Sequence, residues 1–218
     1  MLDKYKAFLF DFDFTLFDSA RGQCECVNYA LRRMGLNEAK DIDILRFVGS
    51  TLEDTFEKLT GVSELEKKHE FRNFFRERGD VIMLSSAIMY PHVDILLKKL
   101  RSKRKHVAIV STKYRHRIEE ILSNHNIRDE VNIIIGWEDV TNYKPDPEGV
   151  FLVLKELGIT ISESVFIGDS LVDAEVSMRA GLDFIAVLSG TTQASEFEQY
   201  KPALVLREVH EMLNLLNP

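Results

Sequence analysis

SVFIGDSLVDAEVSMRAGLDFIAVL, residues 164–188, carries the fold in a single stretch. The apolar run SVFIG (164–168) reads as a strand and breaks at Asp169-Ser170. Leu171–Ala180 reads as a helix, and FIAVL (184–188) as a second strand. Short continuous apolar strands joined by a helix predict parallel pairing, with both faces of the sheet covered.

The same alternation extends upstream. HVAIV (106–110) reads as a strand followed by a helix over Arg115–Asn124, and VNIII (131–135) as a strand followed by a helix over Pro147–Leu157. A helix in YPHVDILLKKL opens with Pro91 near its first turn. KAFLF (6–10) is the first strand, and ALVL (203–206) a short edge strand ahead of a C-terminal helix. Between Asp18 and about Ser86 no strand is expected. Val27, Ala30, Leu31 and Met34 recur at helical spacing with Gly35 as a stop, and helical segments follow at 41–48, 51–60 and 63–78. The expected fold class is therefore α/β: a doubly wound parallel sheet from residues 1–16 and 87–218, with an inserted all-helical unit over 17–86.

Composition narrows the function. The 218 residues are 45% hydrophobic and 29% charged, enough for a sizeable core. A net charge of -7 argues against a general nucleic-acid or anionic-membrane surface but leaves an anionic small substrate open. Cys24 and Cys26 lie two apart on an expected helix and so face different ways, which predicts thiols and a reducing compartment. The apolar run in MLDKYKAFLF is too short for a signal peptide and no segment is long enough to span a bilayer, so a cytoplasmic location is expected. Nothing in the sequence indicates a protein partner.

Doubly wound sheets bind ligands at the carboxyl ends of their strands, which is where the chemistry should lie. The first strand ends in Asp11-Phe12-Asp13-Phe14-Thr15, and HVAIV in Ser111-Thr112-Lys113. Lys144 precedes Pro145 just ahead of a helix, and SVFIG runs into Asp169 and Asp173. Taken singly, each has a bland explanation: an Asp or Ser at a strand end caps a turn, and a loop lysine faces solvent. Together they place four carboxylates on one sheet edge, where they raise one another's pKa values unless a cation neutralises them. Hard oxygen donors without nearby His or Cys suit Mg²⁺, completed by a substrate phosphate. With the Ser111 hydroxyl and the Lys144 ammonium, this describes a phosphoryl-binding site with a carboxylate free to attack phosphorus.

DFDFT, a strand ending in Ser, a Lys before Pro, and GDSLVD resemble, in order, the four motifs of the haloacid dehalogenase superfamily. FDS, YPHV, NYKPDPEGVF and VFIGDSLVDAEVSMRAGL resemble its phosphoglycolate phosphatase-like branch. The resemblance implies a Rossmann-like core with a helical cap. It implies Asp11 as nucleophile and Asp13 as the acid that protonates the leaving alcohol and then the base that activates water. Asp11, Phe12, Asp13, Ser111, Thr112 and Lys144 would bind the phosphoryl group. Asp11, the Asp13 main-chain carbonyl and Asp169 would ligate Mg²⁺, Asp173 would support the metal or Lys144, and Thr15 would tie down the first loop. The carboxylate of Asp13 favours phosphoryl transfer over carbon–halogen cleavage, because a departing halide needs no proton.

Phe14 and His92 stand where relatives commonly carry Gly; Phe14 is tolerable there if its φ is negative, and His92 reads as a turn substitution. The stretch RFVGSTLEDTF (46–56) resembles the cap loop, where Arg46, Ser50 and Thr51 would contact substrate unless Ser50 or Thr51 only caps the next helix. The mutase branch carries a His near the start of its cap, whereas SARGQCECVNY has Gln23 and no His. The expected function is a Mg²⁺-dependent phosphatase of a small phosphorylated metabolite, acting through an aspartyl-phosphate. The alternatives are a pyrophosphatase, a nucleotidase, a β-phosphoglucomutase-like mutase, or a non-catalytic phosphate-binding or regulatory protein on the same fold.

Overall fold

In the computed structural model, which describes residues 2–216, the chain divides into two compact units. One comprises the residues up to Asp18 and from Met89 onward; the other is Ser19–Ile88. Both cuts fall slightly beyond the expected boundaries, because two short unforeseen strands lie there. These are β2 (Phe17–Asp18), which follows the first strand β1 (Ala7–Phe10), and β3 (Ile88–Met89); β2 and β3 form a separate two-stranded ribbon.

The α/β unit begins with β1 (Ala7–Phe10), four residues all buried, as an apolar run at the centre of a sheet must be. After β3 the chain continues through α-helices and strands in alternation. Numbered after the four helices of the other unit, these are α5 (Val93–Ser102), β4 (His106–Val110), α6 (Arg115–Asn124), β5 (Ile133–Ile135), α7 (Glu148–Leu157), β6 (Ser164–Gly168), α8 (Leu171–Ala180), β7 (Asp183–Val187), α9 (Ala194–Phe197) and β8 (Leu204–Leu206). Six strands form one sheet in the order β5-β4-β1-β6-β7-β8, every pairing parallel. The chain winds outward from β1 first to β4 and β5, then crosses to β6, β7 and β8, so the order reverses at β1. Phe10 is level with Ile109 on one side and Ile167 on the other. That register brings Asp11, Ser111 and Asp169 to the same edge, at the switch point where such sheets bind ligands. The core beneath includes Leu9, Ala108, Val110, Phe166, Val150 and Ala174, all at most 3% exposed.

The helical unit contains α1 (Ala20–Arg33), α2 (Asp41–Leu45), α3 (Leu52–Thr60) and α4 (Leu65–Ser86). Its own core includes Cys26, Val27, Ala30, Leu31, Ile44, Phe56, Phe71 and Phe75. Neither Cys24 nor Cys26 is in a disulfide. Burial, with Asp41 adding to it, pushes the Cys24 thiol up to about 12.

Several expected boundaries move for local reasons. The helix expected to end at residue 78 runs on to Ser86, straight through the buried Gly79; a helical glycine costs only about 1 kcal/mol, which packing offsets. The segment 41–48 is helical only to Leu45. Pro91 lies ahead of α5, not inside it, because His92 takes φ +60 as the N-cap and so cannot continue a helix backwards. The expected C-terminal helix is of the 3₁₀ kind, Val209–Leu215, whose buried residues Val209 and Met212 sit three apart, the spacing that a 3₁₀ turn puts on one side.

Candidate active site

The candidate residues of the α/β unit stand beyond the carboxyl ends of β1, β4, β5 and β6, whereas Ser50 lies in the helical unit. Asp11 follows β1 directly, its N–H still donating to the Ile167 carbonyl at 2.9 Å, so the nucleophile candidate is fixed by sheet bonding. Its carboxylate accepts from Lys144 Nζ at 2.6 Å, and the same ammonium donates to Asp173 Oδ1 at 2.7 Å. All three side chains are at most 3% exposed. Lys144 arrives on the loop between β5 and α7, through a cis peptide bond to Pro145. Asp173 sits in the first turn of α8. There its Oδ2 accepts from Ser170 N and Oγ while Ser170 Oγ accepts from Asp173 N, a reciprocal capping box. Asp169 lies one step beyond β6, and Thr15 Oγ1 donates to it at 3.2 Å. Thr15 therefore ties the first loop to the β6 end.

Asp11, Asp169 and Asp173 each offer an oxygen, and these atoms lie within 4.8 Å of one another. Burial pushes the Asp11 carboxyl up to about 7; Lys144 opposes the shift, while Asp173 and Asp13 add to it. Burial likewise holds Asp169 well above the usual carboxylate range, reinforced by Asp173 and Asp11. Burial also disfavours the Lys144 charge, but Asp11 and Asp173 outweigh it and raise its pKa. The lysine thus does not compensate all three acids. A divalent cation is the group that would, and an all-oxygen donor set fits one.

Two glycines shape the cradle. A Cβ on Gly190 would come within 1.9 Å of Asp169 Oδ2, and one on Gly168 within 2.4 Å of the Asp173 Cβ. Gly190 belongs to the segment after β7, which the sequence reading passed over although it directly follows an apolar run. In that segment Ser189 Oγ donates to the Phe14 carbonyl, and Tyr90 Oη donates to the Ser189 carbonyl at 3.3 Å. This strut pins the first loop from a third direction.

Asp13 is placed differently. Among the described residues its carboxylate stands outside the acidic cluster and accepts from Lys113 Nζ at 2.9 and 3.1 Å. Lys113 appears in the sequence only as the residue two after Ser111. Ser111 is buried at the end of β4, where its Oγ accepts from Lys113 N at 3.3 Å. Ser111, Thr112 and Lys144 line one crevice with Asn142 and Tyr143. Phe12 is fully buried and stacked on Phe17 at 4.8 Å, so its ring is turned into the core and only its main chain is left to meet a ligand. Ser50 belongs to the helical unit; the cap of α3 is Thr51, whose side chain accepts from Asp54 N at 3.1 Å.

Phe14 corrects an expectation. Its φ is +61, not negative, and His92 has φ +60, the left-handed region that glycine adopts without strain. Phe14 is 5% exposed, so burial worth about 2 kcal/mol offsets a left-handed strain of about 1–2 kcal/mol.

Residues 8–187 match the family model described as haloacid dehalogenase-like hydrolase, with Asp11, Asp13, Ser111, Lys144, Asp169 and Asp173 inside the match. The chain belongs to the haloacid dehalogenase-like hydrolases. A haloacid dehalogenase-like hydrolase from Bacteroides fragilis superposes with a TM-score of 0.93 at 39% identity, over 95% of this chain and 99% of that one. Among sequence relatives, pyrophosphatase PpaX of Oceanobacillus iheyensis is 26% identical over 97% of this chain and 96% of its own. Phosphoglycolate phosphatase of Pectobacterium atrosepticum is 26% identical over 99% and 94%.

Proposed function

We propose that this hydrolase is a Mg²⁺-dependent phosphatase of a small phosphorylated metabolite, working through an aspartyl-phosphate on Asp11. The observation that carries the reading is the Lys144 ammonium held between Asp11 and Asp173, with Asp169 beside them, at the switch point of the sheet. Asp11, the Asp13 carbonyl and Asp169 would hold the ion, with Asp173 supporting Lys144. When bound, Mg²⁺ would neutralise the carboxylates and draw charge from the phosphoryl oxygens.

The chain's own groups would do the rest. An oxygen of Asp11 attacks phosphorus, and the bond from phosphorus to the leaving oxygen breaks. Asp13 gives its proton to that oxygen, so the product leaves as an alcohol and not as an alkoxide. Asp13, now ionised, takes a proton from water; the water oxygen attacks phosphorus, and the bond to Asp11 breaks. Phosphate leaves and both acids return to their starting forms. Lys144 and the Ser111 hydroxyl hold the phosphoryl oxygens through both steps.

We assign the helical unit the part of a substrate-selecting cap. Pyrophosphate and phosphoglycolate head the substrate candidates, because the named relatives act on them. The two cysteines kept as thiols fit a reducing compartment, and we place the protein in the cytoplasm. The test is phosphate release from pyrophosphate, phosphoglycolate, sugar phosphates and nucleotides, with Mg²⁺ and with a chelator. Release that requires Mg²⁺ is expected from at least one of them. A folded protein that releases none contradicts the phosphatase reading, and isomer formed without phosphate release would reveal a mutase.

A further inference from the structure

We propose that Lys113 is a positioning residue for Asp13, a role that rests on the phosphatase reading above. Each acid of the first loop has its own lysine: Lys144 bonds Asp11, and Lys113 bonds both oxygens of Asp13. The two ammonium groups reach the site from separate loops, after β5 and after β4. The Lys113–Asp13 pair is enclosed, at 4% and 8% side-chain exposure, so it is not a solvated surface contact.

The lysine is itself held. Its N–H donates to Ser111 Oγ at 3.3 Å, and its carbonyl accepts from Trp137 N at 3.0 Å, which anchors the β4 loop to the turn after β5. Its ammonium lies 5.7 Å from the centre of the Phe12 ring, which is fixed in turn by stacking on Phe17. Two hydrogen bonds to the two oxygens of one carboxylate fix both the place and the plane of that carboxylate. A proton donor only about 1 Å out of place loses roughly a hundredfold in rate. Lys113 therefore acts through Asp13, without contact to the transferring phosphoryl group.

Leaving groups separate this role from phosphate binding. An alkyl alcohol needs the Asp13 proton to depart, whereas p-nitrophenolate departs without it. In the Lys113→Met protein at saturating Mg²⁺, kcat/KM for an alkyl phosphate should fall about a hundredfold, and for p-nitrophenyl phosphate less than about threefold. Equal losses on both esters would make Lys113 a phosphate ligand, and no loss on either would leave it without a part; either result overturns the proposal. Should Lys113→Met fail to fold with Asp13 left unpaired, the Lys113→Met/Asp13→Asn double variant removes both charges together. Its kcat/KM should equal that of Asp13→Asn alone on each ester, and a further drop would overturn the proposal. Wild-type protein that releases phosphate from neither ester nor from any compound of the substrate panel above would instead refute the phosphatase reading itself.

Discussion

Asp11→Asn is expected to lower Mg²⁺-dependent phosphate release by roughly 10⁴-fold or more, with the fold intact. The expected size follows from the part assigned to this residue: an amide has no anionic oxygen to attack phosphorus, so the two-step route is closed and not merely slowed. Retention of the fold follows from the surroundings. Asn fills the same space, Lys144 keeps its bond to Asp173 at 2.7 Å, and the main-chain bond from residue 11 to Ile167 does not involve the side chain. The ionised carboxylate is also the form that burial penalises at this position, and Asn is never ionised. The measurement is kcat against the best substrate, beside a circular-dichroism melt. Substantial activity in a well-folded Asp11→Asn protein would remove the nucleophile from the account.

Gly190→Ala should fold and should need about ten to a hundred times more Mg²⁺ for half-maximal activity, the usual loss when the support of a metal ligand is disturbed. Gly190 is not among the glycines with positive φ, so alanine brings no backbone strain there. What it brings is a Cβ within 1.9 Å of Asp169 Oδ2 and 2.8 Å of its Cγ. The carboxylate must turn away, and with it goes its place beside Asp11 and Asp173 and its bond from Thr15. A Mg²⁺ titration of activity, with p-nitrophenyl phosphate at fixed concentration, reads the shift directly. An unchanged half-saturation point would mean that Asp169 is not a ligand or that its position does not matter.

Much of this arrangement is legible in the sequence because parallel strands covered on both faces must be continuously apolar. HVAIV and SVFIG match the structural strands to the residue, and the polar residues that interrupt such runs fall at the sheet edge by necessity. Asp11, Ser111 and Asp169 were accessible for that reason. Lys113 was not. Its partner lies 100 residues away, and a lysine in a strand-to-helix loop looks the same whether it faces solvent or a buried acid. Gly190 could have been found, since FIAVL was read as a strand and Ser189-Gly190 follows it directly. Phe14 shows a different limit. The sequence reveals that a bulky residue stands at a glycine position, but the sign of φ and the depth of the ring's burial arise only from the three-dimensional neighbours of that loop. The boundary errors have the same source: α4 passes through Gly79 because tertiary packing of its apolar face outweighs local propensity.

The most direct test of the central claim is to trap the covalent intermediate. Asp13→Asn protein with Mg²⁺ and p-nitrophenyl phosphate should release about one p-nitrophenol per chain in a burst, since the leaving group needs no acid while hydrolysis has lost its base. Acid quenching and borohydride reduction, followed by peptide mass spectrometry, should then find homoserine in place of Asp11. A burst with no modified residue, or modification at any residue other than Asp11, would contradict the account.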